Sequence, residues 1–131
     1  MDRRAILCVD DEPIILLALV QELRKSVGTE FLLERAMGPE EALGAMENLE
    51  AEGTSLALVI SDWLMPGMKG DELMVAIWQR LPETPVIFIT GWAEAPAIER
   101  IRQSGPVLAV LKKPWDSREL RELILSNLRP Q

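Results

Sequence analysis

The sequence predicts an α/β fold, a doubly wound (βα)5 sandwich in which five parallel strands carry helices on both faces. Two observations predict it. Four short apolar runs lack polar alternation, the mark of strands buried on both faces. The segments between them carry a single apolar stripe at helical spacing. Composition agrees, since 131 residues that are 48% apolar and 27% charged suit one folded domain able to bury a core without staples.

In chain order, the first run is Ala5 to Val9. Pro13, tolerated in a first helical turn, then opens a helix with Leu16, Leu19, Val20 and Leu23 on one face. Glu30 to Ala36 is more polar at its ends and reads as an edge strand. Pro39 opens a second helix, whose stripe is Ala42, Met46 and Leu49. The run Leu56 to Ile60 precedes a helix carrying Leu73, Ala76, Ile77 and Leu81, and Val86 to Ile89 precedes one begun by Pro96. That fourth helix, Pro96 to Ser104, offers little beyond Ile98 and Ile101, so it is expected to be the least firmly packed. Val107 to Leu111 is the last run. Asp116 and Glu119 have the spacing of a capping box for a final helix with Leu120, Leu123, Ile124 and Leu128. Alternation of this kind implies right-handed crossovers, with ligands bound beyond the carboxyl ends of the strands.

Charge and composition exclude several functions. A net charge of −7 argues against direct nucleic-acid binding, which needs a basic surface. The chain has no histidine, no tyrosine and one cysteine, Cys8. Ser-His-Asp and Cys-His catalysis, His-ligated zinc, CxxC redox chemistry and an internal disulfide are therefore out of reach. The apolar run ahead of Asp10-Asp11-Glu12 is only five residues long, too short for a signal-peptide core or a membrane span. A reduced, cytoplasmic protein without membrane contact is expected.

The strand ends hold what chemistry remains. The four apolar runs lead into Asp10-Asp11, Asp62, Thr90 and Lys112-Lys113. Singly, each has an ordinary explanation: acids cap helices, threonine favours strands, and paired lysines decorate turns. Together on one rim they match a metal-assisted phosphoryl-transfer site. Converging carboxylates raise one another's pKa unless a cation intervenes, and a hard divalent ion, Mg²⁺ by preference, suits oxygen donors. A carboxylate nucleophile, a lysine and a hydroxyl then complete the set.

With these residues in place, the chain resembles the receiver domain of bacterial two-component response regulators, a CheY-like or flavodoxin-like fold. The resemblance runs from Ile6 to about Leu128. It is carried by Val9-Asp10-Asp11-Glu12, by Ser61 to Leu73 (SDWLMPGMKGDEL), by Thr90-Gly91 and by Lys113-Pro114-Trp115. It implies strand order 2-1-3-4-5, with Asp62 as the acceptor of a phosphoryl group from a phosphohistidine. By the same resemblance Asp11, Asp62 and the Leu64 backbone carbonyl ligate Mg²⁺, and Asp10 acts through water. Thr90 and Lys113 contact the phosphoryl group, the Lys113-Pro114 bond is cis, Lys112 faces solvent, and Gly91 leaves the acceptor open. The implied partners are a sensor histidine kinase or phosphotransfer protein and an output domain or partner protein. A homodimer through the fourth and fifth helices is a further possibility, although charges such as Glu99, Arg102, Arg118 and Arg121 are more often a solvated face.

Other residues read as packing: Cys8 as a small core hydrophobe, and Met37, Met46 and Met74 in helix or strand contacts. Trp63, beside the acceptor, is expected to be partly exposed, and Trp78 is open to either packing or contact. Two departures from the family pattern stand out. Val110 replaces the usual aromatic residue, so switching is expected to rest on the Thr90 loop and the fourth helix, with Trp92 or Trp115 as part of the reporting surface. Leu64 and Trp92 flank the approach of water, and neither can orient it, so slow self-hydrolysis is expected. The residues form one domain over 1–131, core about 5–128, either a single-domain regulator or the N-terminal part of a longer one. Two other classes compete. An aspartate-nucleophile phosphatase would show Asp-x-Asp after the first strand and a cap domain, and an unphosphorylated adaptor would not need the site residues.

Overall fold

Five strands pair in parallel in the order β2-β1-β3-β4-β5. The computed structural model describes residues 3–91 and 95–128. Its elements are β1 (Arg4–Val9), α1 (Pro13–Val27), β2 (Leu32–Ala36), α2 (Pro39–Ala51), β3 (Ser55–Asp62), α3 (Gly70–Arg80), β4 (Val86–Thr90), α4 (Ala95–Arg102), β5 (Val107–Lys112) and α5 (Ser117–Asn127). Each expected strand and helix is present in the expected order.

Strand alternation divides the core in two. Ile6, Cys8, Leu58, Ile60, Ile87 and Ile89 face α1 and α5, where Leu16, Leu19, Leu23, Leu120 and Ile124 meet them. Leu7, Val9, Val59, Val86 and Phe88 face the other helices and pack against Ala42, Met46, Leu73, Met74 and Ile77. Both faces of the central strands are therefore dry, which explains their unbroken apolar runs. In α4, Ile101 is buried while Ala97 and Ile98 are only partly so, in keeping with the thin anchoring expected of that helix. Asp116 caps α5, its carboxylate accepting from the backbone N–H groups of Arg118 and Glu119 at 2.9 and 3.0 Å.

The structure corrects three expectations and settles a fourth point that the sequence leaves open. At the edge position that the expected strand order gives β5, Val107 to Val110 are half-buried rather than enclosed on both faces. The α3 stripe turns toward Met74 and Trp78, which are buried, whereas Ala76 and Leu81 are only partly covered. Trp78 resolves as packing: it is 7% exposed and its indole N–H donates to the Thr84 carbonyl at 2.7 Å. Met37 is exposed, because it lies in the turn between β2 and α2 rather than in either element.

Cys8 is fully buried in β1, and burial pushes its thiol up to about 12. The thiol of the unfolded chain ionises near roughly pH 8.5, so this residue's contribution to stability is complete below that pH and is lost as pH rises toward 12. A thiol reagent at pH 8 is expected to label the native protein far more slowly than the denatured chain. Equal rates would contradict the burial.

Candidate functional site

The switch in strand order places the carboxyl ends of β1 and β3 side by side, and both end in aspartate. From β1 the chain passes to β2 on one side, and the return to β3 on the other leaves a crevice between them. Asp10 follows β1 directly and Asp62 is the last residue of β3. Both are buried, at 2% and 6% exposure. Ligand atoms of Asp10, Asp11, Glu12 and Asp62 all lie within 4.8 Å of one another.

Local structure fixes these positions. The Glu12 N–H donates to Asp10 Oδ1 at 2.8 Å, turning the chain from β1 into α1 and leaving Asp11 half-exposed. Beyond Asp62, Gly67 takes a positive φ of 88°, and the loop returns so that the Gly70 N–H donates to the Trp63 carbonyl at 2.8 Å. A side chain at Gly70 would collide with the Asp62 carbonyl oxygen, and would lie 3.1 Å from the Phe88 ring and 3.2 Å from Trp63 Cα. α3 can thus begin hard against the end of β3. Gly91, by contrast, has open space where a Cβ would stand.

Lys113 joins the cluster from β5. Its backbone N–H donates to the Thr90 carbonyl at 2.8 Å, which ties the ends of β4 and β5 together, and the Lys113-Pro114 bond is cis. The ammonium Nζ lies 2.9 Å from Asp10 Oδ2, 3.2 Å from Asp62 Oδ2 and 3.4 Å from Glu12 Oε1. Lys112 is exposed. Thr90 is buried at the end of β4, at 4% exposure.

The charges act on one another. Burial is the main influence on Asp62 and raises its carboxyl pKa, with the Asp10 charge adding to the rise. The Lys113 charge and hydrogen bond, together with a backbone hydrogen bond from Leu64, pull the other way without cancelling it. For Lys113, burial favours the neutral amine, but hydrogen bonding to Asp10 and the charges of Asp62 and Asp10 outweigh burial and hold its pKa above the ordinary lysine value. An all-oxygen donor set in which one carboxylate is destabilised by another fits a hard divalent cation.

All the side chains expected at the rim from β1, β3, β4 and β5 stand at those strand ends, and Glu12 is an addition. Its carboxylate belongs to the cluster, although its position in the sequence suggests only a residue leading into a helix. Trp63 is the correction: it is 3% exposed rather than partly open. Alternation turns it to the sheet face opposite Asp62, where it meets Phe88 edge-on with ring centroids 4.9 Å apart and planes at 81°. Such a pair is worth about 0.5–1.5 kcal/mol beyond its burial. Leu64 is exposed, Val110 is partly buried against the α3 side of the core, and Trp115 packs partly on the α5 side. Trp92 lies outside the described residues.

This arrangement agrees with comparison to known proteins. The response regulator receiver domain family matches residues 6–125. The chain is 29% identical to the sensor kinase CckA of Brucella abortus over 96% of its length and 13% of that protein. It is 33% identical to the response regulator protein PilR of Pseudomonas aeruginosa over 98% of its length and 27% of that protein. It therefore spans well under a third of either relative. The signal receiver domain of an HD domain-containing protein from Pseudomonas fluorescens superimposes with a TM-score of 0.80 at 31% identity, covering 98% of this chain and 95% of that one. The chain belongs to the response regulator receiver domains of two-component signalling, a family in which Mg²⁺ binding at an acidic cluster is typical.

Gly70→Ala is expected to lower stability by about 1–3 kcal/mol, since the added methyl must displace the end of β3 or the start of α3. Urea unfolding measures this, and an unchanged midpoint would show that the close approach is not needed.

Proposed function

We propose that this receiver domain accepts a phosphoryl group on Asp62 from a phosphohistidine of a sensor kinase or phosphotransfer protein. The observation that carries this reading is the position of Asp62: buried at the strand-order switch, 3.2 Å from Lys113 and grouped with Asp10 and Asp11. An Asp62 carboxylate oxygen attacks phosphorus, the P–N bond breaks, and its electron pair stays on the imidazole of the donor. Burial raises the Asp62 pKa above the ordinary carboxylate value, which makes its oxygen more basic and so more nucleophilic.

Asp11, Asp62 and the Leu64 backbone carbonyl would hold Mg²⁺, with Asp10 acting through water. The ion would supply charge neutralisation for the phosphoryl oxygens. Lys113 moves from the carboxylates to a phosphoryl oxygen, and Thr90 donates its hydroxyl to another. The chain thereby assists its own phosphorylation and dephosphorylation without turning over a substrate. Leu64 offers no group to orient water, which favours a long-lived aspartyl phosphate.

The new charge, roughly −1.5 to −2, would draw in Thr90 and Lys113 and bias the surface around α4, whose anchoring is thin. At the same rim, Ile14 is 81% exposed and Leu17 49% exposed on α1, an apolar surface suited to a donor protein. Among the described residues no helix is long and apolar enough to cross a membrane, which is compatible with a cytoplasmic role. Residues 1–131 are read as one receiver domain, alone or joined to an output domain.

Incubation with acetyl phosphate and Mg²⁺, followed by intact mass measurement, is expected to show one phosphoryl adduct. Asp62→Asn should abolish it. An adduct that persists in that variant would move the acceptor elsewhere, and turnover of phosphate esters abolished by Asp10→Asn alone would favour a phosphatase.

A further inference from the structure

Three carboxylates share the Lys113 ammonium, and they are not alike. The side chains of Asp10 and Asp62 are 3% and 7% exposed, whereas that of Glu12 is 62% exposed. Its contact with Lys113 is also the longest of the three, at 3.4 Å. Glu12 is nevertheless not placed by chance, because its own N–H is fastened to Asp10 Oδ1 at 2.8 Å. Its carboxylate thus stands on the solvent side of the cluster, where a phosphodonor must arrive.

We propose that Glu12 is a charge filter for phosphodonors: held at the open side of the rim on Lys113, its carboxylate disfavours small dianionic donors such as acyl phosphates. The inference rests on Asp62 being the acceptor. In their charged forms the four clustered carboxylates and one ammonium leave three formal negative charges, and a divalent cation leaves one. Removing the Glu12 charge brings that remainder to zero. A free acyl phosphate carries two negative charges to this rim with no other contact to offset the repulsion. A donor carried on a protein gains additional binding from surfaces such as Ile14 and Leu17, so the same charge discriminates against the small donor. Glu12 also competes with the incoming phosphoryl oxygens for Lys113. With acetyl phosphate, the Asp62 oxygen bonds to phosphorus, the acyl P–O bond breaks, and acetate leaves with the electron pair. Glu12 takes no part in bond making, so it acts as a specificity-determining residue.

At separations of about 5–7 Å in a solvent-like dielectric, one unit charge changes the approach of another by roughly three- to fourfold, and salt screens it. The test compares wild type with Glu12→Gln and Glu12→Asp, at Mg²⁺ concentrations made saturating for each by calorimetric titration. The donors are acetyl phosphate, a dianion near neutral pH, and phosphoramidate, which carries one net charge fewer. At low ionic strength Glu12→Gln is expected to speed labelling by acetyl phosphate about nine- to sixteenfold and by phosphoramidate about three- to fourfold. Both gains should shrink toward unity in high salt, and Glu12→Asp should behave like wild type. A merely structural role would not track donor charge or salt. Equal labelling rates in wild type and Glu12→Gln, or equal gains for both donors, would overturn the filter while leaving Asp62 as acceptor. Absence of any adduct on all three proteins would overturn the acceptor reading and the filter with it.

Discussion

The rim of this domain depends on the Lys113 ammonium, which lies within 3.4 Å of three carboxylates. Without it, two nearly buried aspartates would face each other across the crevice between β1 and β3. Removing one partner from a buried ion pair typically costs about 3–5 kcal/mol, because the other charge remains desolvated. The clamp is incomplete, however, since the Asp62 pKa stays raised despite the lysine. The site is held together yet remains under electrostatic load, and a divalent cation or a phosphoryl group that recruits Lys113 can change that load.

The fold delivers these groups through backbone geometry. Parallel strands bring four carboxyl ends to one edge, and the switch in strand order puts Asp10 and Asp62 on neighbouring strands. The bond from the Lys113 N–H to the Thr90 carbonyl sets the last two ends relative to each other. Gly70 lets α3 start against the Asp62 carbonyl, and Trp63 and Phe88 seal the sheet face on the other side. Stability and chemistry therefore meet at the end of β3.

Much of this was legible in the residues themselves. Unbroken apolar runs such as Leu56 to Ile60 and Val86 to Ile89 announce strands with covered faces, although Leu56 and Ala57 are only half-buried, and each run points to its rim residue. The same criterion overstates the burial of β5, because Val107 to Leu111 is as apolar as a central strand although one edge of it is unpaired. Trp63 is buried rather than partly exposed because adjacency to Asp62 in sequence means opposite faces of the sheet. Met37 is exposed rather than packed because a residue just ahead of Gly38-Pro39 falls in a turn. Glu12 stands in the motif that carries the resemblance, but nothing in the sequence gives it a role in the site. Its place in the cluster depends on Lys113, 101 positions away, which only the closed sheet brings near.

The most direct measurement is the thermal midpoint of Asp62→Asn against wild type in chelator, without phosphodonor. If ionised Asp62 burdens the fold as its raised pKa indicates, neutralising it while keeping its shape and its hydrogen-bond acceptor for Lys113 should raise the midpoint. A gain of about 1 kcal/mol corresponds to roughly 3–6 °C in a domain of this size. A midpoint equal to or below that of wild type would contradict an electrostatically loaded rim.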